Sequence, residues 1–388
     1  MVTLDKEQIL QIIHDPGDTS YLTHNFHPYS AKFIPQLPGH LIRSLSSQNE
    51  MILDPFCGSG TTLVEAKLLG RRSIGVDVHP LGAFMSRVKS TKIDGDQLSR
   101  AAPLLRKVKT RVDKHAKQHG VEIEDFNFSY SLPNFKNRDY WFQSHVLHEL
   151  SIIKSSIDIT NLSPELRDFL LLGFSSIIVY VSNQESETRY SSYQKRIPLL
   201  HTFQTYRKKI LDMIKRMREF NQVASDCEAV SYNADVRELD FLEDNSVDAI
   251  VTSPPYPNTY DYYLYHKQRM NWLDMEWVFL KEVEIGSRLK HSSLRMGIDS
   301  YMQDMRKGFE HFRRVLRPGR HFAFIIGDSV IQDELFKGDD IAATLSENVG
   351  FKVLDQVDYD LGLASRSFNR SFRSTNKREH IILLQNLK

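Results

Sequence analysis

A glycine-rich turn in this chain reads Asp54-Pro55-Phe56-Cys57-Gly58-Ser59-Gly60. An apolar run at 51–53 precedes the turn, a helical pattern covers about 61–69, and a second apolar run at 73–76 ends in Asp77. Glycine lets the backbone turn tightly and approach a ligand. Strand, turn, helix and strand in this order predict a β-α-β unit, whose ligands bind beyond the carboxyl ends of the strands. We therefore expect a binding site at this turn.

Strand and helix patterns alternate on both sides of the middle of the chain. Further strand patterns lie at 229–232, 247–251, 321–327, 352–359 and 380–385. The alternation predicts an α/β fold with a doubly wound sheet. The last two strand patterns are joined by a loop rather than a long helix, which predicts an antiparallel hairpin at the sheet edge.

The middle of the chain has a different character. Between residues 96 and 225 strand patterns are absent, and helical patterns occur at 97–118, 140–157, 163–181 and 190–220. We therefore predict that 1–95 and 226–388 form one α/β domain and that 96–225 is a helical insertion. The polar stretch 182–190 reads as a loop between two insertion helices.

Composition excludes several protein classes. The chain has 388 residues, of which 41% are hydrophobic and 26% charged, which is typical of a soluble globular protein. No apolar run reaches the roughly 18 residues of a membrane span, and no signal peptide is evident, so we expect a cytoplasmic protein without a membrane partner. Two cysteines, Cys57 and Cys227, argue against a disulfide framework, and the histidines show no metal-ligand spacing, so no metal is predicted.

A second motif reads Thr252-Ser253-Pro254-Pro255-Tyr256 and follows the apolar run 247–251. Two consecutive prolines give the strand a rigid, extended exit. The Ser253 hydroxyl and a carbonyl near Pro254 offer two acceptors for an exocyclic amine, and Tyr256 offers a face for stacking. Positioning of this kind needs no covalent nucleophile. The competing interpretation is a Pro-Pro turn with a tyrosine in the core.

The turn at 54–60 has the features of a nucleoside-cofactor site. No phosphate-binding lysine follows it, so it is not a nucleotide P-loop. Asp77, at the end of the second strand, is placed to accept hydrogen bonds from both ribose hydroxyls. Cys57 reads as a small packing residue at the site rather than a catalytic thiol. The competing interpretation is a plain helix cap.

Together the two motifs resemble those of the S-adenosylmethionine-dependent amino-methyltransferases of DNA. The resemblance implies a Rossmann-like methyltransferase sheet and S-adenosylmethionine as cofactor. It implies that Phe56, Gly58 and Gly60 hold the methionine part of the cofactor and that Asp77 holds the ribose. Asp235, in the segment 233–236, is implied to lie near the adenine ring. The segment 27–35 resembles a cofactor-side motif of an N4-cytosine-specific subgroup.

The residues assigned on this basis fall into two sets. The predicted catalytic residues are Ser253, Pro254, Pro255 and Tyr256. The predicted cofactor-binding residues are His27, Tyr29, Lys32, Phe33, Asp54, Phe56, Cys57, Gly58, Gly60, Thr61, Thr62, Asp77, Asp235, Val236 and Thr252.

The resemblance implies methyl transfer to a DNA base, in restriction–modification or a related defence, with a cognate restriction endonuclease as partner. Serine in the first motif position, after Thr252, favours N4 of cytosine over N6 of adenine. The glycine turn precedes the Ser-Pro-Pro-Tyr motif, the reverse of the order in many N4-cytosine enzymes. Three alternatives remain: an N6-adenine DNA methyltransferase, an RNA guanine-N2 methyltransferase and a non-catalytic nucleic-acid-binding subunit.

DNA contacts are predicted from basic and aromatic residues beyond the second motif. A base inside a duplex hides its amine, so the chemistry requires a flipped base or a single strand. Basic segments at 100–120, 262–320 and 361–380 would bind phosphates if they share one face. Polar residues at 182–190 could read base edges or form a plain surface loop. The predicted nucleic-acid contacts are Tyr260, Tyr262, His266, Lys267, Arg269, Arg288, Arg366, Arg370 and Arg373.

Overall fold

The computed structural model describes residues 2–117, 132–360 and 377–388. Its strands, in chain order, are β1 (Met51–Asp54), β2 (Arg72–Asp77), β3 (Gln184–Ser186), β4 (Arg189–Ser192), β5 (Ala229–Asn233), β6 (Val247–Thr252), β7 (Leu316–Gly327), β8 (Ser329–Ile331), β9 (Glu334–Phe336), β10 (Phe351–Asp360) and β11 (Arg378–Asn386). Seven of these strands form one sheet in the order β10-β11-β7-β6-β1-β2-β5. The strands β3 and β4 form one small hairpin, and β8 and β9 form another.

The sheet is doubly wound with an antiparallel edge hairpin, as predicted. Neighbouring strands from β5 through β7 run parallel, whereas β11 is antiparallel to both β7 and β10. The chain leaves β1 in one direction towards β5 and returns to place β6 on the other side of β1. Because Leu53 pairs with Ile250, the loops that follow β1 and β6 begin side by side. Ligands of such sheets bind at this switch point.

Helices flank the sheet. They are α1 (Lys6–His14), α2 (Gln36–Leu45), α3 (Thr61–Leu68), α4 (Pro80–Ser90), α5 (Gly95–Ser99), α6 (Ala101–Lys117), α7 (Arg138–Trp141), α8 (Ser144–Asp158), α9 (Pro164–Val181), α10 (His201–Val223), α11 (Tyr262–Tyr265), α12 (Lys267–Trp272), α13 (Leu280–Val283), α14 (Ile298–Val315) and α15 (Gly338–Val349). Within the described ranges, no helix combines the length and the apolar character needed to cross a membrane.

The insertion is largely helical and packs onto the α/β domain. Its apolar residues share one core with Phe84 and Met85 of α4 and with Met270 and Trp272 of α12. This continuous core holds the insertion against the side of the sheet where α4 lies. The role of 96–225 as a separate functional unit stays a prediction.

One expectation for the insertion is wrong. The helical pattern from 190 to 220 predicted one long helix, and 182–190 was expected to be a loop, but the hairpin β3–β4 occupies part of this region and α10 begins only at His201. The buried carboxylate of Glu149, on α8, accepts hydrogen bonds from Leu200 N at 2.7 Å and Phe203 N at 2.9 Å. This cap satisfies free N–H groups of the first turn and sets the start of α10. Pro198 lies just upstream and disfavours helix before it.

The edge hairpin is held by a buried histidine. His380, on β11, places its ring nitrogens 2.9 Å from Asp328 Oδ1 and 3.2 Å from Asp358 Oδ1. Burial alone would lower the pKa of His380, but these hydrogen bonds raise it above its ordinary value. Asp328, Asp339 and His380 bring potential metal-ligand atoms within 4.8 Å of one another. Because both ring nitrogens already face carboxylates, the cluster is explained as an ion-pair network.

Gly60 is required by the close approach of the turn to α4. Its backbone is left-handed, with φ of +81°, and a Cβ atom there would lie 2.6 Å from Ser86 Cα. Gly17 has a similar φ of +68° but no neighbour within 4 Å of a Cβ atom. We expect Gly60→Ala to lower the free energy of unfolding in urea by at least about 2 kcal/mol, because strain and clash add. Gly17→Ala, which carries the backbone strain alone, should cost about 1 kcal/mol. Equal losses in the two variants would contradict this account of the turn.

Candidate active site

The loops that follow β1 and β6 open into one cavity of about 700 Å³. Asp54 is the last residue of β1 and Thr252 the last of β6, and Thr252 Oγ1 donates a hydrogen bond of 2.6 Å to Asp54 Oδ1. This bond is buried and joins two motifs that are almost 200 residues apart in sequence. The cavity walls include Phe56 and Gly58 from one motif and Ser253 from the other.

The glycine turn and Asp77 are joined by backbone hydrogen bonds. Asp77 Oδ2 accepts from Gly58 N at 2.8 Å, and Asp77 Oδ1 accepts from His79 N at 2.8 Å. Gly58 has a left-handed φ of +46°, and a Cβ atom there would lie 3.2 Å from the Tyr29 ring. The carboxylate is therefore held rigidly at the end of β2, facing the cavity.

Several buried carboxyl groups face this cavity. Burial raises the pKa of Asp54 and of Asp77 to about 6, and hydrogen bonds oppose the shift in both. Burial raises the pKa of Glu284 to about 8, although it accepts a hydrogen bond of 2.7 Å from Tyr262 N. Burial also raises the pKa of Glu379. Raised pKa values identify carboxylates that lack enough compensating positive charge. Asp54, Asp77 and Glu284 would suit a cationic ligand, whereas Glu379 already accepts a hydrogen bond from Tyr256.

A stack of three rings forms the wall nearest the N-terminal motif. Tyr29 lies between Tyr262 and His266, with ring centroids 5.4 Å and 5.2 Å away and planes within 15° of parallel. Tyr29 and Tyr262 line the cavity. The stack thus connects the segment 27–35 to the segment that follows the Ser-Pro-Pro-Tyr motif.

The Ser-Pro-Pro-Tyr motif contains a chain of hydrogen bonds. Ser253 Oγ donates to the Tyr256 hydroxyl at 3.2 Å, and the Tyr256 hydroxyl donates to Glu379 on β11. Tyr256 also packs against the core beneath the sheet edge. Burial and the adjoining Glu379 raise the pKa of Tyr256 far above its ordinary value, so the phenol stays protonated.

The cavity contains most of the residues predicted from sequence. All four predicted catalytic residues line it. The predicted cofactor residues that line it are Tyr29, Lys32, Phe33, Asp54, Phe56, Cys57, Gly58, Thr61, Asp77, Asp235 and Val236. Burial raises the pKa of the Cys57 thiol, and Cys57 packs against Gly75, in agreement with a packing residue.

Four predicted cofactor residues lie behind the cavity wall. His27 is buried and bonds Pro28 O at 2.7 Å and Ser175 Oγ at 3.0 Å. Thr62 is fully buried, Gly60 precedes α3, and Thr252 donates to Asp54. These four do not line the cavity, and their direct contact with the cofactor stays a prediction.

The prediction of phosphate contacts is wrong for His266 and Arg269. Both side chains are buried, at 1% and 0% exposure. The Arg269 guanidinium is bonded to Ser175 O at 3.2 Å, to His266 Nδ1 at 3.1 Å and to Glu187 Oε1 at 2.7 Å. A fully bonded, buried guanidinium cannot reach a phosphate, because it would lose these partners.

Of the other predicted DNA contacts, some line the cavity, some lie elsewhere and some are outside the described residues. Tyr260 and Tyr262 line the cavity, and Arg288 is exposed. Lys267 is half-buried, with its ammonium 4.6 Å from the Trp277 ring centroid. Arg366, Arg370 and Arg373 lie outside the described residues.

Sequence reasoning did not assign several of the cavity residues, among them three glutamates and a threonine from distant elements. Glu187 and Thr188 come from the hairpin of the insertion, Glu284 from the end of α13, and Glu379 from the final strand. Glutamate is common on solvated surfaces, so no local pattern marked these positions. The stretch 182–190 was singled out for its polar character, but it was predicted to be a loop rather than the hairpin β3–β4.

Asp235 is engaged within the protein as well as facing the cavity. Its carboxylate accepts hydrogen bonds from Arg237, at 2.9 Å for Nε, and Arg237 also bonds Asp304 at 2.7 Å. Its predicted place near the adenine ring therefore stays a prediction. The pair with Arg237 leaves less of its charge available to a ligand.

A cavity lined by carboxyl groups and aromatic rings thus lies at the switch point of a doubly wound sheet. Residues 7–81 match the N6_N4_Mtase family model, described as DNA methylase. The Type II methyltransferase M.MvaI of Kocuria varians is 27% identical over 291 residues, which cover 70% of this chain and 62% of that protein. M.MjaII of Methanocaldococcus jannaschii is 22% identical, over 84% of this chain and 75% of that protein. M.BsoBI of Geobacillus stearothermophilus is 24% identical, over 85% and 78%.

The chain is thus similar to the S-adenosylmethionine-dependent DNA amino-methyltransferases, through its N-terminal segment and through these relatives. It spans less than two thirds of the length of the Kocuria varians relative.

The residues present fit the cofactor of this family. Buried carboxylates match a cationic sulfonium and an ammonium group, and Asp77 matches ribose hydroxyls. Ser59 lines the cavity, and its buried Oγ has no hydrogen-bond partner among the described residues. An unpartnered buried hydroxyl is costly, and a polar ligand would satisfy it.

Proposed function

We propose that this protein transfers a methyl group from S-adenosylmethionine to the exocyclic amine of a base in DNA, and that the amine is N4 of cytosine. The observation that carries the proposal is the shared cavity, whose lining includes Gly58 from one motif and Ser253 from the other. A donor site and an amine clamp must adjoin for such a transfer to occur.

The first part of the proposal concerns the cofactor. Asp77 would accept from the ribose hydroxyls, and the turn at 56–58 would hold the methionine part. Val236 and Phe33 would contact the adenine ring as apolar neighbours. When bound, S-adenosylmethionine supplies an electrophilic methyl group whose bond to sulfur breaks as the bond to nitrogen forms.

The second part concerns the target amine. Ser253 Oγ and the Pro254 carbonyl would accept the two amine hydrogens and turn the nitrogen lone pair towards the methyl group. Tyr256 would cover one face of the base. The nitrogen loses one proton after the new bond forms, and no covalent bond to the protein is required.

The choice of cytosine N4 rests on the motif. Its first position is Ser253, a neutral acceptor, and the preceding Thr252 is committed to Asp54 through a 2.6 Å hydrogen bond. Adenine N6 is the runner-up, because the same clamp suits either amine.

We further propose that the base enters the cavity flipped out of a duplex or from a single strand. The tyrosines Tyr260 and Tyr262 line its path, and Arg288 is exposed near it. The hairpin β3–β4 carries Glu187 and Thr188 to the same cavity, which supports a role for the insertion in target recognition.

The biological setting is proposed from the relatives, which are named Type II methyltransferases. A Type II methyltransferase protects sites from a restriction endonuclease, so we propose a cognate endonuclease as partner.

The test is incubation of the protein with labelled S-adenosylmethionine and unmethylated genomic DNA, then nucleoside mass spectrometry. We expect N4-methylcytosine. If N6-methyladenine forms instead, the proposed target changes from cytosine N4 to adenine N6, and the proposed role of the clamp stands. N2-methylguanine, formed only when RNA is supplied, would support the RNA alternative. A protein that binds DNA and transfers no methyl group to either nucleic acid would contradict the proposed function.

A further inference from the structure

The hydrogen bonds of the clamp have a direction. Ser253 Oγ donates to the Tyr256 hydroxyl at 3.2 Å, and that hydroxyl donates to a carboxylate oxygen of Glu379. Glu379 lies on β11, opposite Gly327 of β7, and lines the cavity beside the clamp. It is the end of the chain because an ionised carboxylate accepts hydrogen bonds and donates none.

This direction decides what Ser253 offers to a ligand. A hydroxyl has one hydrogen and two lone pairs. The Tyr256 hydroxyl uses its one hydrogen in the bond to Glu379, so its oxygen can only accept from Ser253. The Ser253 hydroxyl must therefore be the donor in the bond between Ser253 and Tyr256. Both lone pairs of Ser253 are then free to accept from the cavity side.

Without the carboxylate, the direction of the chain is no longer determined. Tyr256 could then donate to Ser253, and the serine hydrogen would turn into the cavity. The serine hydrogen would then face the hydrogens of the amine, and two donors that face each other form no hydrogen bond.

We propose that Glu379 is a positioning residue that sets the direction of the Ser253–Tyr256 hydrogen bonds and thereby makes Ser253 an acceptor for the target amine. The inference rests on the proposed function and deepens it, because it assigns a residue to the amine clamp from a strand more than 120 residues away.

Rigid surroundings support this role. Glu379 is the second residue of β11 and is paired with Gly327 on one side and Tyr359 on the other. The next residue, His380, is bonded to Asp328 and Asp358. Since β11 is fixed on both flanks, the carboxylate cannot easily leave Tyr256.

The experiment compares Glu379→Ala, Glu379→Gln, Tyr256→Phe and the Tyr256→Phe/Glu379→Ala double variant. Methyl transfer to DNA, the Kd for S-adenosylmethionine and thermal unfolding are measured for each full-length protein. Gln385→Ala, on the same strand but at its far end and bonded to Gly319 O, is the matched control.

We expect Glu379→Ala to lower kcat about tenfold with an unchanged cofactor Kd, since one directed hydrogen bond is lost. Glu379→Gln should stay within about threefold of the wild type, because its amide oxygen can still accept from Tyr256. In the Tyr256→Phe background, Glu379→Ala should have no further effect, because the chain is already broken. Gln385→Ala should behave as the wild type.

A wild-type kcat in Glu379→Ala, or losses that add in the double variant, would overturn the inference alone. Loss of cofactor binding together with stability would overturn it too, as the sign of a merely structural residue. A wild-type protein that methylates no DNA would overturn the proposed function and the inference together.

Discussion

Replacing Ser253 by alanine is expected to lower kcat for methyl transfer at least about 100-fold, while the Kd for S-adenosylmethionine stays within about twofold. The hydroxyl is the first acceptor of the proposed clamp, and removal of one oriented group that acts mainly in the transition state typically costs 100- to 1,000-fold. Cofactor affinity should persist because the Asp77 side of the cavity is untouched.

Steady-state kinetics and calorimetry of the purified variant test this expectation. Ser246→Ala is the matched control, because Ser246 precedes the same strand at its opposite end and its hydroxyl donates a hydrogen bond to Glu243 O. Tyr256→Ala should lower kcat as much as Ser253→Ala does, because it removes both the stacking face and the bonded hydroxyl. Wild-type turnover in both variants would show that the clamp is wrongly assigned.

Replacing Asp77 by alanine is expected to raise the Kd for S-adenosylmethionine about 100-fold. The carboxylate would accept from two ribose hydroxyls, and hydrogen bonds to a charged group contribute about 1.5–3 kcal/mol each. It also holds Gly58 N and His79 N at 2.8 Å, so its loss loosens the glycine turn. Asp77→Asn should raise the Kd less than Asp77→Ala does, because the amide oxygen can still accept a hydrogen bond from a ribose hydroxyl.

Calorimetric titration with the cofactor measures this effect, and Asp340→Ala, an exposed aspartate on α15, is the control. The same titration has a pH dependence with a defined sign. Burial raises the pKa of Asp77 to about 6, so the carboxyl is ionised above pH 6 and protonated below it. Affinity for a cationic cofactor should therefore fall as pH drops from 7 to 5. An unchanged Kd in Asp77→Ala would refute the ribose role.

Local sequence predicted the parts of the fold that depend on neighbouring residues. The turn at 54–60 was placed correctly between strand and helix because glycines and short apolar runs act locally. The final hairpin was predicted because its two strands are joined without a helix. In each case, the pattern and the structure depend on the same few residues.

The insertion shows where local patterns fail. Residues 190–200 carry a helical pattern, yet the carboxylate of Glu149 sets the start of α10 at His201. That cap comes from another helix about fifty residues away. Arg269 was predicted to contact nucleic acid, and only the tertiary structure shows that it is buried and bonded to Glu187 and His266.

Motif residues such as Asp54, Asp77 and Ser253 could be recognised in the chain because each follows a strand and carries distinctive neighbours. The pairing of β1 with β6 brings the two motifs to one cavity, and only the tertiary structure shows this pairing. Glu284 and Glu379 became visible only in three dimensions, because ordinary residues on ordinary elements acquire a role through what lies beside them. The motifs can be recognised from sequence because they depend on steric and hydrogen-bonding effects between neighbouring residues. Burial and the order of distant strands in the sheet decide which other side chains complete the site, and only the tertiary structure shows these.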